Sequence, residues 1–347
     1  QSALRRALYE GTFLLNALAT SQPSRPQMVI GVVPSLSGGV LAAAAAARYR
    51  VPFGLIFQDL MGPAAGQSGI AGGGRVMRVT GALENRIAAR AAGVAIIAEG
   101  FRPYLEAGGV EPDRIWRVRN WTHIGEPTES RRQTRARLGF SPGELVCLHA
   151  GNMGLKQGLE NVVACARLAL TEAPAMRFVL MGDGNQRTAL MALAEGLPNV
   201  RFLPPQPERD FSDVLAAADV LLVNQRHTVQ DMSLPGKLTS YFAAGRPTVA
   251  AVAPTSETAT ELTAAGAGLV VEAERPEALL AALCRVAASP DLAAMQGERG
   301  RAYARQHLTP DAALARFEQF LDAVAHHPRR RTDVRPARRL VRATSRT

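Results

Sequence analysis

Between residues 144 and 288 six short apolar runs recur, each only four or five residues long and each followed by a stretch of helical character: LVCLH (145–149), RFVLM (177–181), VRFL (200–203), DVLLV (219–223), TVAAV (248–252) and GLVV (268–271). A short run that is continuously apolar, rather than alternating, suits a strand buried on both faces, and such strands pair in parallel with helices above and below. The intervening helices are expected at 158–171, 186–194, 211–217, 237–244, from Thr255-Ser256-Glu257 onward, and at 276–288. Six strands each followed by a helix predict a doubly wound α/β sheet.

The first part of the chain repeats the pattern less regularly. Apolar runs at 28–33, 53–58, 93–97 and 114–118 predict at least four strands, with helices at 40–48, 76–92 and 101–107. Pro34, Ser35 and Gly38-Gly39 read as a turn after the first of them. A helix-like stretch, 3–19, comes before any strand, and the chain opens on Gln1. At 347 residues two cores are expected; the polar stretch 120–129, with Gly125 and Pro127, reads as the connection. The boundaries that follow are a first Rossmann-like domain over 1–120, a linker with a short helix over 121–143, and a second Rossmann-like domain over 144–308. A closing helix (309–327) and a basic tail (328–347) complete the chain. The two doubly wound domains are expected to face each other across a cleft.

The use of cations narrows the chemistry. Of 40 basic residues only Lys156 and Lys237 are lysines. Both stand where a helix begins, Lys156 in G-N-M-G-L-K-Q-G and Lys237 in S-L-P-G-K. A compact ammonium on a flexible stem suits a phosphate oxygen, where arginine is a planar fork. Around them the predicted strand ends carry Gly151, Asn152 and Gly154, then Asp183 and Gly184, then Pro235 and Gly236, then Ser256 and Glu257. Glycine turns and helix starts offer unpaired N–H groups and a partial positive charge, so this set reads as a diphosphate site. Glu257 reads either as a hydroxyl acceptor for a sugar or as a favourable charge on a helix dipole. Asp59, at the end of the 53–58 strand, reads equally as a ligand contact or a turn aspartate.

Other chemistries lack their residues. There is no G-x-x-x-x-G-K-[ST] and no G-x-G-x-x-G after a strand, which excludes a P-loop and leaves dinucleotide binding unsupported. The histidines lack metal spacing and there is no D-x-D, so no metal is expected. Cys147, Cys165 and Cys284 have no paired spacing and read as small core residues in a reducing compartment. No apolar run reaches the roughly 18 residues of a membrane span. The tail from Pro328 holds eight arginines against Asp333 and carries most of the net charge of +10. It reads as solvated chain or as an attachment to anionic lipid; without aromatic interleaving or a docking motif, nucleic acid is not an expected partner. Glycines crowd 61–74, which suits a mobile loop beside a strand end.

From about 145 to 288 the chain resembles the C-terminal domain of GT-B glycosyltransferases of family 4. The resemblance rests on G-N-M-G-L-K-Q-G, L-M-G-D-G, A-A-A-D-V-L-L-V, P-G-K-L-T-S-Y-F-A-A-G-R-P and S-E-T-A, in that order. The first domain resembles the acceptor half more faintly, through Q-D-L, A-E-G-F-R-P-Y-L and R-N-W. The branch it is most similar to builds bacterial exopolysaccharide, O-antigen and colanic acid. The resemblance implies a retaining transfer from a UDP- or GDP-linked sugar, without metal or other cofactor. The acceptor it implies is a lipid-linked saccharide at the cytoplasmic face of the plasma membrane. By the same resemblance Lys156 would contact the diphosphate and Glu257 the sugar or phosphate, while Asn152 stands where the family often has arginine. The family's E-x7-E pair falls at Met232 and Ser240, so Lys237 would take over part of that anion binding. Gln58, beside Asp59, stands where relatives often have histidine. Relatives also open on a strand and glycine-rich loop that this chain would lack. Two other activities stay open at this point: a non-catalytic nucleotide-sugar binder, and a sugar-nucleotide epimerase.

Overall fold

The computed structural model describes residues 11–17, 19–20, 26–33, 36–60, 74–229 and 236–327. The 61–73 glycine stretch, residues 1–10 of the expected first helix, Met232, Pro235 and the basic tail lie outside the described residues.

The first layer is built from β1 (Val29–Val33), α1 (Leu36–Tyr49), β2 (Phe53–Phe57), α2 (Gly74–Ala88), β3 (Gly93–Ile96), α3 (Arg102–Ala107) and β4 (Ile115–Arg117). Its strands are parallel and run in chain order, β1-β2-β3-β4. One expectation fails here. Gly38-Gly39 reads as a turn, yet α1 runs through it. The pair serves packing rather than turning: a Cβ on Gly31 of β1 would lie 3.1 Å from the Gly38 carbonyl and 2.7 Å from Ala42. Small residues on both elements let helix and strand backbones approach, and that contact outweighs the low helix propensity of glycine.

A connection from Val118 to Glu129 leads into α4 (Arg131–Arg137), capped by Ser130 and Gln133 in a reciprocal box. The second layer then alternates without interruption. It comprises β5 (Leu145–Ala150), α5 (Glu160–Glu172), β6 (Met176–Met181), α6 (Arg187–Leu193), β7 (Val200–Leu203), α7 (Glu208–Ala217) and β8 (Val220–Asn224). It continues through α8 (Gly236–Ala244), β9 (Thr248–Ala251), α9 (Glu257–Ala265), β10 (Gly268–Val271) and α10 (Pro276–Ala287), and α11 (Pro290–His307) follows. The six parallel strands are ordered β10-β9-β8-β5-β6-β7. Two apolar clusters, one on each face, bury Tyr241, Phe242, Leu221 and Leu148 on one side and Phe178, Leu222, Cys147 and Cys165 on the other. Burial pushes the Cys147 thiol up and that of Cys165 to about 12, so both behave as apolar core residues.

The last helix, α12 (Pro310–His326), leaves the second layer and packs on the open face of the first sheet. Phe320 and Val324 are fully buried there. Gly54 and Gly93 make the room, since a Cβ on either would lie within 2.9 Å of Val324 or of the Phe320 ring. Among the described residues no single helix is long and apolar enough to cross a membrane.

Candidate active site

In an open parallel sheet, ligands collect beyond the carboxyl ends of the strands where the strand order reverses. In the second layer that point lies between β5 and β8. The two strands pair only at Cys147–Val220 and Leu148–Leu221, and then part. The Ala150 N–H donates instead to the Tyr241 hydroxyl (2.8 Å), which rises from α8 to fill the split. Burial pushes the Tyr241 phenol well above its ordinary value, so it stays a neutral bridging group.

Three loops close around this split. The β5–α5 loop is zipped to the β6–α6 loop by backbone bonds from Gly151 N to Met181 O (2.9 Å), Met153 N to Asp183 O (2.7 Å) and Gln186 N to Met153 O (2.9 Å). Gly182 and Gly184 both have positive φ, and a Cβ on Gly182 would sit 2.0 Å from the Gly151 carbonyl. On the other side the Arg226 N–H donates to Lys156 O (3.0 Å). The Asn224 side chain donates to the carbonyls of Gln157 (2.7 Å) and Gly158 (2.8 Å). The β5–α5 loop, with its short 3-10 turn Leu155–Gln157, is thus fixed from both flanks.

The expected site residues fall as follows. Gly151, Asn152, Gly154 and Lys156 occupy this loop, with Asn152 and Lys156 exposed. Gly184 packs against Asn152 and Met153, and exposed Asp183 accepts the Gly184 N–H (2.8 Å). Gly236 and Lys237 open α8; the Lys237 stem passes 3.9 Å from where a Gly151 Cβ would be. The two halves of the expected anion site are therefore adjacent through Gly151 and Lys237. Ser240 is half-buried on α8. Ser256 is the N-cap of α9, accepting the Ala259 N–H (3.2 Å). Asp59 belongs to the other layer, at the end of β2, where its carboxylate accepts the Leu60 N–H (2.9 Å).

Glu257 joins the layers. It is 5% exposed at the start of α9. Its carboxylate accepts the N–H groups of Glu99 (3.0 Å) and Gly100 (3.1 Å), just beyond β3, and the Arg117 guanidinium (3.0 Å) from β4. One turn on, Glu261 pairs with Arg117 (2.7 Å) and Arg119 (3.1 Å) and accepts the Tyr303 hydroxyl (2.7 Å). Burial alone would raise the Glu261 carboxyl, but Arg117, Tyr303 and Arg119 outweigh it and hold it below the usual range. The carboxyl ends of both sheets therefore face one another, and α9 spans the gap.

Sequence reasoning missed two members of the site. His149, one of the histidines without metal spacing, is fully buried at the end of β5. Its ring approaches the backbone of Asn152 and Leu222 without reaching hydrogen-bond geometry. Burial, and then the Lys237 cation, drive its pKa well below the ordinary histidine value, so a neutral imidazole lies beside that ammonium. Arg226 turns back from the end of β8 onto the Leu155 carbonyl (2.8 Å) and pairs with Glu160. Its signal in the sequence was only its place one residue past Asn224-Gln225, in the loop between β8 and α8. Among the described residues no group of three or more His, Cys, Asp and Glu side chains is placed to hold a metal ion.

Residues 144–289 match the family described as glycosyl transferases group 1. Along 335 aligned residues the chain is 29% identical to the Escherichia coli (strain K12) protein named as the colanic acid biosynthesis glycosyl transferase WcaI, covering 91% of this chain and 79% of that one. It is 27% identical over 176 residues to a GDP-mannose-dependent phosphatidylinositol monomannoside mannosyltransferase of Corynebacterium glutamicum, spanning 50% of this chain and 46% of that protein. Among solved structures, Anabaena Alr3699/HepE in complex with UDP and glucose superposes with a TM-score of 0.68 at 16% identity, over 94% of this chain and 83% of that one. WaaG, a glycosyltransferase involved in lipopolysaccharide biosynthesis, superposes at 0.58 and 17% identity, over 93% and 96%. The two facing parallel sheets are the GT-B architecture of these structures, and residues 144–289 are similar to the group 1 glycosyltransferases.

Proposed function

We propose that this chain is a glycosyltransferase that takes its sugar from a nucleoside diphosphate donor whose diphosphate lies over the split between β5 and β8. The observation that carries the reading is the adjacency of Lys237 to Gly151 at that reversal. Lys237 supplies the charge, the glycine loop leaves its backbone open to close approach, and the starts of α5, α8 and α9 aim partial positive charge at the same place. Lys156, exposed on the outer side of the loop, reaches the diphosphate from solvent. With Gly236, Ser240 and the Asn152–Gly154 backbone it completes the donor contacts. Neutral His149 adds no second charge beside Lys237 at the floor of the site. In this reading Glu257 holds the cleft walls together, its oxygens being taken up by Glu99, Gly100 and Arg117, and the ribose is gripped by other groups. The related proteins named above support a UDP- or GDP-linked donor.

The reaction in this proposal retains configuration. The acceptor hydroxyl approaches the anomeric carbon on the side the diphosphate leaves, the C–O bond to phosphate breaks, and the departing phosphate oxygen takes the hydroxyl proton. The protein contributes position and charge rather than a nucleophile. The two lysines and the helix starts neutralise the leaving diphosphate without a metal. Asp59 and Gln58, on the first layer, face the acceptor. The relatives' roles in colanic acid and lipopolysaccharide biosynthesis, and in mannosylating a phosphatidylinositol glycolipid, support a polyprenol- or lipid-linked saccharide as acceptor at the cytoplasmic membrane surface.

Calorimetric titration with UDP, GDP, ADP and CMP, on the native chain and on Lys237→Ala, tests the donor site. One diphosphate should bind, and its affinity should fall about 10- to 100-fold in the variant, as expected for a charge-assisted contact of roughly 1.5–3 kcal/mol. Equal affinity in both proteins would remove Lys237 from the donor site. Binding of none by a cooperatively folding chain would overturn the reading.

A further inference from the structure

The pole of the second layer opposite the cleft holds a cluster of cations that the transfer reaction does not use. Here the amino ends of β5, β8 and β9 meet the end of α10 and the start of α11. A cavity of about 280 Å³ opens between them, walled by Arg131, Asp219, Arg246, Val286, Pro290 and Ala294. Asp219 faces this space and is already committed. It pairs with Arg131 and with Arg135 (2.9 Å) and accepts the Val146 N–H (2.8 Å). Arg301 lies across Gly245, pairs with Glu298 (3.4 Å) and donates to the Ala244 carbonyl (3.5 Å), and among the described residues its buried Nε has no hydrogen-bond partner.

Arg246 is the cation left over. It makes no ion pair among the described residues, and it sits between Arg131, Arg135 and Arg301. Burial, and the repulsion of these neighbours against the single attraction of Asp219, pull its pKa down to about 10. A half-buried guanidinium with three cations around it and one shared carboxylate is an unbalanced arrangement, because charges partly removed from water need compensation. Its planar fork is suited to a tetrahedral oxyanion, and Arg131 lines the same cavity.

We propose that this cavity is a second anion site, taking a phosphate-class oxyanion between Arg246 and Arg131, on the face of the molecule away from the donor. The opposite wall is apolar, from Val286, Pro290 and Ala294. A free phosphate and the phosphate of a lipid headgroup share the chemistry that the arginines recognise.

The donor site also attracts phosphate, so the test uses the full chain carrying Lys237→Ala. Inorganic phosphate or pyrophosphate, against chloride at matched ionic strength, should raise its melting temperature by a few degrees. The further change Arg246→Met should abolish that rise while leaving the protein folded, since it removes an uncompensated charge. Hydrogen exchange on the Lys237→Ala chain gives a readout that does not depend on the second substitution. Phosphate should protect the 243–249 and 286–294 segments and leave the β5–α5 loop unchanged. Sedimentation with phosphatidylcholine vesicles, with and without phosphatidic acid, identifies the source. Arg246-dependent binding to the acidic vesicles assigns a headgroup, and binding of free phosphate alone assigns a soluble ligand. A thermal shift that survives Arg246→Met, or no protection at either segment, overturns the proposal.

Discussion

At the scale of single residues the proposed site turns on a lysine and a histidine that neither helix nor strand periodicity connects. Lys237 stands out in the sequence because lysine is so scarce in the chain. His149 does not, because its partner lies almost ninety residues on and a buried histidine leaves no periodic trace. Its depressed pKa makes a prediction about acid stability. The unfolded chain takes up a proton on this ring below about pH 6.5, while the buried ring beside Lys237 does not. The histidine therefore costs nothing above that pH and destabilises the fold increasingly below it, by up to about 1.4 kcal/mol per pH unit. Urea midpoints measured from pH 7 down to 5 should fall in the native chain and fall less steeply in His149→Leu. Parallel curves would mean that the ring is protonated in place. Glu257 shows the opposite limit of sequence reading. A carboxylate at a helix start is visible in the sequence, but that its partners lie beyond β3 and on β4 is a fact of tertiary geometry.

At the scale of elements the sequence was most informative where apolar runs are short and punctuated. Each of the six second-layer runs became a strand, with ends within a residue or two of those expected. The failure at Gly38-Gly39 has the same cause as the successes elsewhere. Glycine marks either a turn or a close approach, and only the packing partner, here β1, decides which. In the loops after β5 and β6 both meanings combine, since Gly182 has positive φ and also touches the Gly151 carbonyl. Gly182→Ala should therefore drive the two loops apart. The expected stability loss is about 2–4 kcal/mol, from overpacking against rigid backbone and an unfavourable φ. The donor diphosphate should also bind more weakly in this variant than in Asp183→Ala, whose side chain points out to solvent. Denaturant midpoints and calorimetry on the pair would show it; equal nucleotide affinity would separate the loop junction from the binding site.

At the scale of the whole molecule, two features tie the layers together. The first is the carboxylate–arginine network at α9. Arg117→Met would leave Glu257 and Glu261, 5% and 1% exposed, short of their main counter-charge. Breaking such a pair by removing one partner should cost about 3 kcal/mol, read as a lower urea midpoint. Unchanged stability would mean that the layers part freely without it. The second is α12, which returns to the first sheet. Phe320→Ala should cost about 3–5 kcal/mol, and unfolding followed by a probe in the first layer should register the loss. Because α12 crosses back, the chain passes between the layers twice, and the passages are bonded to each other from Thr122 N to Leu308 O (3.0 Å). The return of α12 also imposes an order in time. A ribosome releases β4 about two hundred residues before it releases α12. At 5–20 residues per second that is a delay of roughly 10–40 s. Through that interval the nascent first sheet presents Ile30, Ile56 and the glycine floor at Gly54 and Gly93 without their cover, so the layer synthesised first is completed last, and its bare face is the surface a chaperone would meet.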